Sequence, residues 1–125
     1  MTENEIAKII VDLCMKIHKA LGPGLLESVY EAALIYELRK LGIRFDNQID
    51  IPAVYEEVKL DVGFRADLIV DNKVIVELKS VENLQSVFKK QLLTYLKLSH
   101  MKLGLLVNFN VSLMKDGITR IANGL

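Results

Sequence analysis

The sequence holds one cysteine and two histidines in 125 residues, and each scarcity excludes a class of protein. A lone thiol, Cys14, forms no internal disulfide, and its place in a helical apolar pattern predicts a core residue. His18 and His100 stand isolated, so no Cys or His cluster offers itself to zinc. No apolar run reaches the roughly 18 residues that a membrane span requires. The first ten residues, MTENEIAKII, are acidic and polar, unlike a secretory signal, and a cytoplasmic protein is expected. Net charge is lacking too. Sixteen Lys and Arg balance sixteen Asp and Glu, so no global field draws the chain to a polyanion. Such binding would need a local basic patch, a bound cation or assembly. With 51% hydrophobic and 26% charged residues, the remainder is a globular mix. It predicts a single domain over residues 1–125, burying roughly two-thirds of its unfolded surface.

Apolar positions at Ile6, Ile9, Ile10, Leu13, Ile17 and Leu21 predict an amphipathic helix over residues 3–21, ended by Gly22-Pro23-Gly24. A second helix is expected from about Leu25 to Leu41, with Gly42 as its C-terminal stop. Pro52 within Arg44–Tyr55 suits an edge strand or a bend. Glu56-Glu57 reads as a turn into a long strand, Val58–Val70, bent or bulged at Gly63. A second apolar run, Val74–Val76, follows the turn-like Asp71-Asn72-Lys73. A third helix is expected over Leu84–Leu98. Leu103–Phe109 is nearly unbroken apolar sequence, the mark of a strand covered on both faces. A turn at Asp116-Gly117 and a short strand at Ile118–Ile121 close the order. Two helices, three strands, a helix and further strands predict an α/β fold with a mixed β-sheet. Its strands would meander antiparallel first, then receive a strand through a helical crossover.

Charges inside the apolar strands single out Phe64–Ser80. Asp67 interrupts the first run, and Glu77 and Lys79 follow the second. Buried carboxylates destabilise a sheet unless something pairs with them. A three-residue loop at Asp71–Lys73 would pair Val70 with Val74, Leu68 with Val76 and Asp67 with Glu77. Leu68, Val70, Val74, Val76 and Leu78 would then share one apolar face. A two-residue turn would leave both faces mixed, and the hydrophobic pattern favours the first register. Asp67 and Glu77 would stand about 5 Å apart and repel each other, which a divalent cation would relieve. Oxygen-only ligands point to Mg²⁺ or Mn²⁺. A lysine beside such a site can orient a nucleophilic water or offset developing charge. The plainer alternatives are structural ion pairs, Asp67 with Arg65 or Glu77 with Lys79, on an exposed sheet face.

Asp67 followed by Glu77-x-Lys79 resembles the D…(D/E)xK core of the PD-(D/E)XK nuclease superfamily. Gly24-Leu25-Leu26-Glu27-Ser28-Val29-Tyr30 resembles the GxxExxY signature of a family of small proteins with that fold. FRADLIV, VIVELKSVENL, QLLTYLKL and LGLLVNFN follow its pattern in order, so the resemblance runs from about Ile17 to Ile121. It implies a restriction-endonuclease-like core. It further implies that Asp67, Glu77 and the Leu78 backbone carbonyl hold a metal and that Lys79 is the catalytic lysine. Glu27 would assist in the outer shell or through water, and Gln91 would contact the site or the substrate backbone. Ala66 stands where the motif's name has proline.

These readings predict a Mg²⁺- or Mn²⁺-dependent nuclease that hydrolyses phosphodiester bonds of DNA or RNA. The alternative is a nuclease-fold binding or scaffold module without turnover. A bare core has little surface for reading sequence. A back-to-back homodimer would enlarge that surface, though the sequence itself does not show one.

Overall fold

Thr2 opens the first helix. Its hydroxyl accepts from the Glu5 amide while the Glu5 carboxylate accepts from the Thr2 amide, a capping box that satisfies two N-terminal donors. The computed structural model describes residues 1–125. In it this helix, α1, spans Glu3–Leu21, and Gly22 follows with φ 73°. Helix α2 spans Glu27–Lys40. It starts two residues later than the sequence suggests, because the Leu25 amide and the Gly22 carbonyl are both engaged by the Tyr30 hydroxyl. Gly42, at φ 68°, takes the left-handed turn that ends it.

Five strands follow: β1 Phe45–Tyr55, β2 Val58–Val70, β3 Val74–Lys79, β4 Leu103–Asn108 and β5 Ile118–Ala122. Helix α3, Ser86–Ser99, connects β3 to β4. The sheet order is β1-β2-β3-β4-β5, with β3 and β4 parallel and every other pair antiparallel. This is the predicted meander with a helical crossover, flanked by helices on both faces. Pro52 lies on the edge strand, where a missing amide costs no ladder bond. Glu56 and Glu57 form the expected turn with φ 50° and 66°. Asp116-Gly117 belongs to a short 3₁₀ turn, Met114–Gly117.

Every residue of β4, and all of β3 except Lys79, is buried. Helices α1 and α2 cover one face, packing Ile10, Leu34 and Leu38 onto Leu68, Val70, Val74, Val76 and Leu78. Helix α3 covers the other, setting Leu92 and Leu96 against Ala66, Ile69, Ile75 and Leu106. A Cβ at Gly104 would come within 2.9 Å of Leu92, so α3 rests directly on the β4 backbone.

Candidate active site

The β2–β3 ladder pairs Val70 with Val74, Ile69 with Ile75 and Leu68 with Val76, the register of a three-residue loop. One step further, at Asp67 and Glu77, side chains replace the backbone pairing. The Asp67 amide donates to Glu77 Oε1 at 3.3 Å, and the Leu78 amide donates to Asp67 Oδ2 at 2.8 Å. The two carboxylates therefore meet where β2 leaves β3. On an extended strand a residue's amide and carbonyl point the same way, so the Leu78 carbonyl also turns toward this opening.

Strict alternation would set Asp67, Glu77 and Lys79 on one face, and the structure differs at Asp67. Leu68 and Val70 pack under α1 and α2 and Ile69 under α3, yet Ala66 also packs under α3. Alternation thus slips by one residue at Asp67. Across the ladder, Asn47 pairs with Leu68 and Ile49 with Ala66, but Gln48, between them, has φ 50° and no ladder partner. A left-handed non-glycine residue costs roughly 1–2 kcal/mol. This distortion lets Asp67 reach Glu77 and also line a small cleft beside α2 with Glu27, Ser28, Glu31, Gln48 and Leu78.

Glu27 is the first residue of α2 and remains exposed. Its position is set by the segment Gly24–Tyr30. Gly24 adopts φ 93°, and the buried Tyr30 stacks on Phe109 at 4.1 Å. The Tyr30 hydroxyl accepts from the Leu25 amide at 3.1 Å and donates to the Gly22 carbonyl at 2.6 Å. Ser80, next after Lys79, donates to the Leu25 carbonyl at 2.6 Å, tying this loop to the end of β3.

Neither plain ion pair forms. Arg65 bonds Asp50 at 3.0 Å, and Lys79 has no carboxylate within 4.0 Å. Lys79 Nζ instead lies 4.5 Å from the centre of the Phe88 ring on α3, a contact that holds a charged amine without neutralising it. Glu77 is buried, and its carboxyl is pushed up to about 8, first by burial and then by the charge of Asp67, with Lys79 pulling weakly the other way. Without a cation Glu77 is protonated at neutral pH. Tyr95 stacks on Phe64 at 3.8 Å, and its hydroxyl is raised by burial and by the charges of Glu77 and Asp67, which puts it at the site's flank. Gln91 is exposed and its side chain makes no hydrogen bond within the protein; helical spacing sets it on the stripe of Phe88 and Tyr95.

No three acidic, His or Cys side chains converge as a ready-made metal group. The donor set still fits a hard divalent cation. Asp67 and Glu77 offer oxygens side by side, and the Glu77 carboxyl is raised first by burial and then by the neighbouring Asp67 charge, both of which a bound cation would offset. The Leu78 carbonyl and water would complete the shell.

A family model described as the PD-(D/E)XK nuclease superfamily matches residues 4–121. The chain is a member of the PD-(D/E)XK nuclease superfamily. Comparisons with curated proteins and with solved structures return no match. Members of the superfamily are generally nucleases that typically use divalent metal ions, and the mixed sheet flanked by helices is consistent with that fold.

Two residues beside this candidate site are not singled out by the sequence. Gln48 donates to Glu31 at 2.7 Å and to Asp67 at 3.4 Å, bridging two acids with a neutral amide. Asn108 is buried at the end of β4; it accepts from the Val81 and Asn110 amides and donates to the Val81 carbonyl, fixing the chain just beyond Lys79. Gln48 gives no signal in a strand pattern. Asn108 does give one, as a polar residue ending an apolar run.

Proposed function

We propose that the chain is a nuclease of the GxxExxY group that hydrolyses phosphodiester bonds of DNA or RNA with Mg²⁺ or Mn²⁺. Asp67, Glu77 and the Leu78 carbonyl would hold the cation, and Glu27 would reach it through water across the α2-side cleft. The cation supplies a water of lowered pKa and polarises a phosphoryl oxygen. Lys79, held over Phe88, positions the attacking water and offsets charge building on the phosphate. Gln91 contacts the substrate backbone from α3. The observation that carries this reading is the pair of crossed contacts at the mouth of the β2–β3 ladder, Asp67 amide to Glu77 carboxylate and Leu78 amide to Asp67 carboxylate, with Lys79 following and in no ion pair.

The test is cleavage of single- and double-stranded DNA and RNA with Mg²⁺ or Mn²⁺, against a Glu77→Ala/Lys79→Ala control. Activity no higher than that control removes the nuclease reading. One observation favours a second reading, a binding module without turnover: no three acidic groups stand assembled around a point. That reading expects nucleic-acid binding undiminished by the double substitution, together with no Mn²⁺ uptake by calorimetry.

A further inference from the structure

Beyond Pro52 and Gly63 the β1–β2 ladder leaves the body of the molecule. Every residue from 54 to 63 is exposed. An isolated two-stranded ribbon is marginal in water unless an apolar face is covered. The root of this ribbon is built for it. A Cβ at Gly63 would collide with the Ile51 carbonyl oxygen, and the register shifts between Pro52 and Val54, a bulge that re-aims the ribbon. Val58, Leu60 and Val62 alternate onto one face of β2, and Tyr55 lies directly opposite Val58. Tyr55 is 66% and Val62 73% exposed. Clustered apolar exposure of this kind marks a protein contact. At the tip, Glu56 and Glu57 take part in no ion pair. With three acids and one base, Lys59, the ribbon is unsuited to gripping phosphates.

A matching surface lies between α1 and α2. Ile17, Ala20, Leu21, Ala33 and Tyr36 line an apolar hollow of about 220 Å³. At its rim Lys16 and Lys40 share the single Glu37 carboxylate, at 3.0 and 3.7 Å, which leaves the rim positive. No residue of the ribbon lines this hollow, so the two surfaces meet only between molecules. An apolar ribbon with an acidic tip complements an apolar hollow with a basic rim.

We propose that the β1–β2 ribbon of one molecule docks into the α1–α2 hollow of a second copy, reciprocally, to form a homodimer. The inference stands apart from the nuclease reading. Because Phe64, at the ribbon's root, stacks on Tyr95, the same contact brings the second copy close to the candidate site.

Sedimentation equilibrium over a concentration series tests it. The wild type forms a dimer. Val58→Thr/Leu60→Thr/Val62→Thr places β-branched, strand-compatible side chains on an already exposed ribbon; it is expected to fold normally by circular dichroism and to weaken association about ten-fold or more. Leu21→Ser/Tyr36→Ser in the hollow does the same. Mixing these two variants restores one of the two contacts, so native mass spectrometry detects a heterodimer absent from either alone. A wild type monomeric at every concentration overturns the proposal. So does a dimer unaffected by the ribbon substitutions, or a mixture with no heterodimer, which would indicate ribbon-to-ribbon pairing.

Discussion

Glu77 is the residue on which the candidate site turns. It is buried and beside a second carboxylate, and its folded-state value near 8 lies well above the ordinary carboxylate range. A carboxyl raised by folding binds more protons in the folded state, so its contribution is fully present below about pH 4.5 and is lost as pH rises through about 8. Denaturant unfolding of the metal-free protein in chelator is therefore expected to show stability falling across that window, by up to about 1.4 kcal/mol per pH unit from this group. Glu77→Gln should flatten the difference; equal slopes in the two proteins would show that Glu77 ionises normally. Lys79 gives a separate expectation. Lys79→Met keeps the aliphatic stem over Phe88 and removes the charge. Cleavage is expected to drop about 10²–10³-fold while Mn²⁺ affinity by calorimetry stays within a few-fold, if the lysine positions water and does not ligate as proposed.

At the scale of elements, the site depends on how one loop is held. Residues 22–26 carry the chain from α1 to Glu27, and the Tyr30 hydroxyl and Ser80 clamp them from two sides. Tyr30→Phe retains the stack on Phe109 and removes only the hydroxyl. It leaves the Leu25 amide and the Gly22 carbonyl without that partner, an expected loss of roughly 1–3 kcal/mol in denaturant unfolding. Cleavage should fall as well, since Glu27 loses its fixed approach to the cleft. A Tyr30→Phe protein with unchanged stability would mean that water satisfies the loop. The signature Gly24-x-x-Glu27-x-x-Tyr30 thus has a structural meaning: a glycine for the turn, an acid at the helix start, and a tyrosine one turn on that locks both.

The whole molecule is three layers sharing a central pair of strands. With β3 and β4 buried on both faces, neither helical layer can detach without exposing the same strands. Leu34→Ala in the α1–α2 layer and Leu92→Ala in the α3 layer are each expected to cost about 2–5 kcal/mol. Both should move one common unfolding transition, followed by circular dichroism and by tyrosine fluorescence. Two separate transitions in either variant would show that the layers unfold independently. Neutral net charge belongs to this scale as well. With no long-range field, approach of the proposed nucleic-acid substrate would rely on a bound cation and on local positive charge.

The sequence by itself determined the element order, the strand that both layers cover, and the hairpin register, because periodicity and turn length are local properties. It also pointed to Asp67, Glu77 and Lys79, since charges inside apolar runs are conspicuous. Helix ends were legible to within about two residues, the error at α2 arising from a hydroxyl bond made across the loop. Tertiary structure alone decided the rest. The slip at Asp67 depends on Gln48 across the ladder, whose left-handed backbone no strand pattern announces. Lys79 rests on Phe88, and Glu77 is held protonated by burial, because α3 folds back over the end of β3. Such placements come from contacts between residues far apart in the chain, and local pattern carries no record of them.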